Sequence, residues 1–143
     1  MKKKWPIRIL PMLLCVMMLC SVPAYAVEAR ASSRIAHSAA SLSQKSNGDL
    51  SIYFSVRATD VMEKIGASSV EIQRSSGSNW VTEYTFNTRN TPTLQRENKD
   101  QHGMVLTYSP LFTGGEYRAV VMIYVKDATG SSTQQLTSKT ICA

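Results

Sequence analysis

Hydrophobic and polar residues alternate along most of the chain with a period of two. Leu50, Ile52, Phe54, Val56 and Ala58 interleave with Ser51, Tyr53, Ser55, Arg57 and Thr59, the pattern of a strand that buries one face. The turn signal Asn47-Gly48-Asp49 precedes it, and a weaker alternation before that runs through Ile35, His37 and Ala39, or through its partner face Ala40 and Leu42. From Asp60 to Gly66 the spacing of Met62 and Ile65 predicts one turn of helix, capped by Asp60 and ended by Gly66. Val70 and Ile72 then start a hairpin that closes through a five-residue loop, Ser75 to Asn79, into the row Trp80, Thr82, Tyr84 and Phe86. That row is assigned to the core.

Residues 88–102 hold Pro92, five charged side chains and a single aliphatic residue, Leu94; the absence of any period predicts a long loop. A short strand follows at Met104 to Tyr108, and Pro110 to Gly115 turns the chain. From Tyr117 to Val125 both faces are apolar, with Tyr117, Ala119, Val121, Ile123 and Val125 on one and Arg118, Val120, Met122 and Tyr124 on the other, so this strand is central. Asp127 to Ser132 makes the last turn and Gln134 to Ile141 the closing strand. About seven short strands at near-regular spacing predict an all-β chain, a single antiparallel β-sandwich over residues 33–143.

The first 26 residues follow another pattern. Lys2, Lys3, Lys4 and Arg8 precede an apolar stretch from Ile9 to Val22, and Ala24-Tyr25-Ala26 supplies small residues for a peptidase; this is the layout of a signal peptide. The stretch is shorter than the roughly 20 residues that span a bilayer. Cleavage is expected before Val27, with Ala29-Arg30-Ala31 as a second site before Ser32, leaving a short arm at 27–32. Leu19 before Cys20 argues against lipid attachment. A secreted, extracellular product is the expectation.

Removing the leader changes the charge. Of the 16 Lys+Arg, four lie in residues 1–26, so twelve remain against 10 Asp+Glu and the formal charge falls from +6 to +2. A nucleic-acid partner loses its electrostatic support. Cys142 is the only cysteine left, which excludes an internal disulfide and leaves two readings for the thiol, a small apolar residue closing the last strand or the link of a dimer.

Catalytic chemistry has little to work with. The mature chain holds two histidines, His37 and His102, neither in a recognisable nucleophile motif. Two histidines and one terminal cysteine fall short of a zinc set. Asp49, Asp60, Asp100 and Asp127 fall in expected turns, where turn chemistry accounts for them. No cofactor is expected. If Ala119, Val121 and Ile123 face the core, Val120, Met122 and Tyr124 face outward, as do Tyr53 and Arg57 on the earlier strand; these five are the candidate binding residues.

The run Val70-Glu71-Ile72-Gln73-Arg74, a Gly/Ser loop and Trp80 resembles the third strand, turn and next strand of fibronectin type III and related immunoglobulin-like sandwiches. Gly115 to Val121 with the polar strand after it is similar to their sixth and seventh strands, and Tyr117 stands where those folds bury a tyrosine. Leader and domain together also resemble an uncharacterised family of short secreted bacterial proteins with no assigned activity. The function these readings favour is a non-enzymatic binding module for a protein or a cell-envelope glycan. Its rivals are a small secreted hydrolase and an extracellular matrix component joined through Cys142.

Overall fold

The computed structural model describes residues 34–143. The leader, its cleavage sites and the arm at 27–32 lie outside the described residues. Those described form an all-β chain, a seven-stranded antiparallel sheet with one short 3-10 turn and no α-helix. The strands are β1 (Ile35–Gln44), β2 (Leu50–Ser76), β3 (Asn79–Asn87), β4 (Gln95–Tyr108), β5 (Glu116–Asp127), β6 (Gly130–Thr137) and β7 (Ile141–Cys142).

β2 organises the sheet. Its first part pairs with β1 through Ile35↔Ala58 to Gln44↔Leu50, and with β4 through Leu50↔Tyr108 to Arg57↔Gln101. Its last part pairs with β5 through Lys64↔Lys126 to Arg74↔Tyr117, and with β3 through Ser69↔Asn87 to Ser76↔Asn79. β6 and β7 pair with β5. Leu50, Ile52 and Phe54 from the first part of β2, and Ile65, Val70, Ile72, Ala119, Val121 and Ile123 from the last part and its partner, are fully buried in one hydrophobic cluster. Each Leu, Ile, Val or Phe among them contributes about 1.5–3 kcal/mol by leaving water, which makes this shared core the main source of stability.

Several expectations need correction. Residues 60–66 are strand, not a helical turn: Met62 and Ile65 are buried as β2 continues, and the register against β4 jumps from Arg57↔Gln101 to Met62↔Lys99. Four residues bulge out there, and the Asp60 carboxylate accepts from the Val61 N–H at 2.7 Å rather than capping a helix. The segment 88–102 is no long loop. Pro92–Leu94 makes the 3-10 turn with Leu94 fully buried, and β4 begins at Gln95. From Arg96 to Gln101 every β4 residue is exposed, so backbone pairing alone holds this stretch and no alternation marks it.

The hairpin loop is also tighter than expected. Ser76 pairs with Asn79 across Gly77-Ser78, and Gly77 takes φ +65°, the glycine-first form that suits a two-residue hairpin. Finally, Trp80 does not share a face with Tyr84 and Phe86. The register slips between Ile72↔Tyr84 and Gln73↔Thr82, leaving Glu83 as a bulge residue, and a bulge of one residue reverses the facing of all that follows. Trp80 therefore stands opposite Ser75, with the Arg118 guanidinium 4.2 Å from its ring centroid.

The turn after β5 is likewise shorter than the Asp127–Ser132 span expected, since Asp127 pairs directly with Gly130. Ser138 interrupts the closing strand: its backbone N–H donates to the Ala119 carbonyl and its hydroxyl accepts from the Ala119 N–H, each at 2.9 Å.

Candidate functional site

The five sequence-derived binding residues separate into two groups. Val120, Met122 and Tyr124 alternate with the buried positions of β5 and are half-buried, opposite Glu71, Ser69 and Gly66 on β2 and Thr137, Gln135 and Thr133 on β6. Arg118 continues that row, donating through Nε to Gln73 Oε1 at 2.9 Å and covering Trp80. Tyr53 and Arg57 lie on the first part of β2, between β1 and β4. No strand pairing brings them to the β5 group.

Around Tyr53 and Arg57 the sheet carries an open depression of about 460 Å³, lined among others by His37, Ser55, Gln101 and Gly103. Its shape follows from the register. Tyr53 stands between Ser41 and Val105, Ser55 between Ala39 and Gly103, and Arg57 between His37 and Gln101. The middle row has only small side chains, so it lies lower than the rows beside it. Gly103 deepens it: a Cβ there would stand 3.1 Å from the Phe54 carbonyl oxygen and 3.3 Å from Ser55 Cβ. One wall is aromatic, with Tyr53 at 43% exposure. The other carries the guanidinium, imidazole and amide of Arg57, His37 and Gln101.

The arginines of the domain differ in what holds them. Arg34 pairs with Asp127 at 2.6 Å, Arg74 with Glu83 at 2.5 Å, and Arg118 is taken up by Gln73 and Trp80. Arg57 has no ion pair or side-chain hydrogen bond among the described residues. Among the described residues no carboxylate lines the depression. A planar fork of donors left open beside an exposed phenol ring can receive a flat, polar or anionic group.

Both histidines border the depression, from different positions of the sheet. His37 stands opposite Arg57, whereas His102 stands opposite Val56 on the buried side, packs edge-on against Phe54 and donates from Nε2 to the Thr93 carbonyl at 2.9 Å. Burial, ahead of the nearby Arg96 charge, pushes the His102 pKa down, and the Thr93 bond opposes this in part. Ser55 and His37 line the same depression with no hydrogen bond between them. Among the described residues no three His, Cys, Asp or Glu side chains group as a metal site.

Two further features were not foreseen from the sequence. A second depression, of about 570 Å³, lies between the 3-10 turn and β4, lined by Lys64, Thr88, Pro92, Gln95, Arg96, Glu97 and Lys99. At the other end of the buried face the bulge residue Glu83, its side chain 6% exposed, accepts from Arg74 Nε at 2.5 Å and from the Tyr108 hydroxyl at 3.2 Å. Burial first, then the Glu83 charge, raises the Tyr108 pKa to about 12. Tyr108 stacks on Tyr84, and Tyr84 meets Phe86 edge-on. Glu83, Arg74 and Tyr108 are matched to one another, which marks the cluster as structural. Signals for both features existed as the charges of 95–99 and the charged Glu83 in an apolar row, but neither has a period.

Cys142 is exposed in β7 opposite Glu116, its thiol directed at the Gly114 carbonyl 3.8 Å away. It closes the last strand without being buried. No helix of the described residues is long and apolar enough to cross a membrane. Compared with known proteins, the chain matches no family model, no curated protein and no solved structure.

Proposed function

We propose that this chain is a secreted, non-enzymatic binding module, an immunoglobulin-like or fibronectin type III-like sandwich that holds a cell-envelope glycan in the depression beside Tyr53 and Arg57. The depression itself carries the reading: an exposed aromatic wall faces an unpaired guanidinium across a floor of small side chains. Its volume falls within the range of small-molecule sites. An aromatic face suits the C–H face of a sugar ring, and the opposite wall offers donors for its oxygens.

Two observations support the sandwich. Among the described residues no helix covers the sheet, yet both parts of β2 bury one face in a shared cluster, so the two parts, with β1 and the 101–108 end of β4 on one and β3, β5, β6 and the 95–99 end of β4 on the other, are read as layers covering each other. The Tyr117 hydroxyl donates to the Phe112 carbonyl five residues upstream at 2.9 Å, as the corner tyrosine of immunoglobulin-like folds does. The membership in a family of short secreted bacterial proteins, and the signal peptide at 1–26, are part of the same proposal and rest on the sequence.

The test is retention of the purified protein on the envelope fraction of the producing cells. Tyr53→Ala with Arg57→Ala should lower retention at least tenfold with the circular dichroism spectrum unchanged, while Met122→Ser with Tyr124→Ala should not. Undiminished retention of the first variant overturns the site. Turnover of a glycan or peptide panel, lost on His37→Ala, would replace the reading with the hydrolase.

A further inference from the structure

The ligand class follows from how the two depressions are joined, an inference that rests on the glycan-binding reading. The first is bordered on β4 by Gln101 and Gly103, the second by Gln95, Arg96, Glu97 and Lys99. Lys99 and Gln101 are two residues apart on one exposed strand, about 7 Å at the usual rise. The depressions are thus neighbours along β4, separated by the register jump from Arg57↔Gln101 to Met62↔Lys99, and the strand is not straight between Gln95 and Gly103, since Asn98 takes φ +53°. A single sugar does not fill both hollows.

Charge narrows the class. Arg57, Lys64, Arg96 and Lys99 line the two depressions against one carboxylate, Glu97. None of these four cations has an ion pair or side-chain hydrogen bond among the described residues, although Lys126 nearby pairs with Glu63 at 3.2 Å. Unneutralised cations in hollows raise the local concentration of anions. Between them lie uncharged hydrogen-bonding groups, Ser55, Gln101, Gln95 and Thr88, and the exposed ring of Tyr53.

We infer that the occupant is a linear carboxylate-bearing polysaccharide that follows β4 from the Tyr53/Arg57 depression to the Lys64/Lys99 depression. Arg57 takes a carboxylate as a two-pronged donor, Tyr53 stacks against the same or the adjoining ring, and Lys64, Arg96 and Lys99 meet acids further along the chain. The alternation of hydroxyl and amide groups with separated charges suits a polymer whose acids are spaced by sugar rings.

Binding of galacturonate oligomers of increasing length, measured by titration calorimetry on the purified protein, tests this. Affinity should rise with length until the oligomer covers both depressions, and should fall as salt is added. Lys64→Gln with Lys99→Gln should weaken the long oligomer at least tenfold and leave the dimer unchanged; Arg57→Gln should weaken both. Equal binding of neutral dextran, equal binding of single-stranded DNA of matched length, or a long oligomer indifferent to the lysine changes would each overturn the inference. If envelope retention depends on Tyr53 and Arg57 while no galacturonate binds, the binding module stands and its acidic-polymer ligand falls.

Discussion

Gly66 shows how one residue can be recognised in a sequence for the wrong reason. Its place after Met62 and Ile65 predicts the end of a helical turn, yet it sits inside β2 at φ +149°, and a Cβ built on it would lie 2.0 Å from the Leu94 carbonyl oxygen. Here the glycine lets the 3-10 turn lie directly against the strand and bury Leu94. Gly66→Ala adds a collision with backbone to a strained φ, which alone costs about 1–3 kcal/mol. Its urea midpoint should therefore fall well below that of Gly48→Ala, where φ is +88° and nothing lies within 4 Å. Equal losses would mean that the close approach to Leu94 carries no energy. The outward facing of Tyr53 and Arg57 was legible residue by residue, because alternation with Ile52, Phe54 and Val56 dictates it. That Arg57 lacks a partner while Arg34, Arg74 and Arg118 have one was not, since pairing over 9 to 93 residues of sequence has no local signature.

At the level of elements, strands with one dry face were legible and strands wet on both faces were not. β5 and the first part of β2 are predicted almost to the residue, whereas the Arg96–Gln101 stretch of β4 has no apolar residue to set a period. Its charges are what an exposed edge needs to resist pairing with another chain. The bulge in β3 was hidden for a different reason: with Glu83 inserted, Trp80 and Tyr84 stand four positions apart, an even spacing, so they read as one face. In the fold Glu83 points among Arg74, Tyr108 and Tyr117. Arg74→Ala strips a nearly buried carboxylate of its cation and should cost about 2–4 kcal/mol in chemical denaturation. Replacing both partners, Arg74→Met with Glu83→Leu, should recover most of that loss, to within about 1 kcal/mol of the unaltered protein. A double variant as unstable as the single one would show that the bulge needs the ion pair to form.

Over the whole molecule, Arg34 ties the start of β1 to the turn between β5 and β6. The Asp127 carboxylate accepts from Arg34 Nε at 2.6 Å and also from the Thr129 N–H and hydroxyl and the Gly130 N–H. Arg34, then Thr129, holds its pKa well below the usual carboxylate range. The folded protein thus binds that proton more weakly than the unfolded chain, so the stabilisation is complete above the unfolded value near 4 and is lost as the pH falls below it. Urea unfolding between pH 7 and pH 3 should show a smaller acid loss for Asp127→Asn, which starts lower at pH 7; parallel curves would remove Asp127 from the acid response. β2 has a consequence at this scale for the order of events in folding. The two hairpins it forms, with β1 and with β3, are complete once the chain reaches Asn87, before β4 or β5 exists to be recruited. A growing chain therefore spells out both local units early and closes the distant pairings last, the slow kind of step in strand-rich proteins. In that interval Leu50, Ile52, Phe54, Val70 and Ile72 still lack their β4 and β5 neighbours, and the window is one in which a holdase has most to gain by binding.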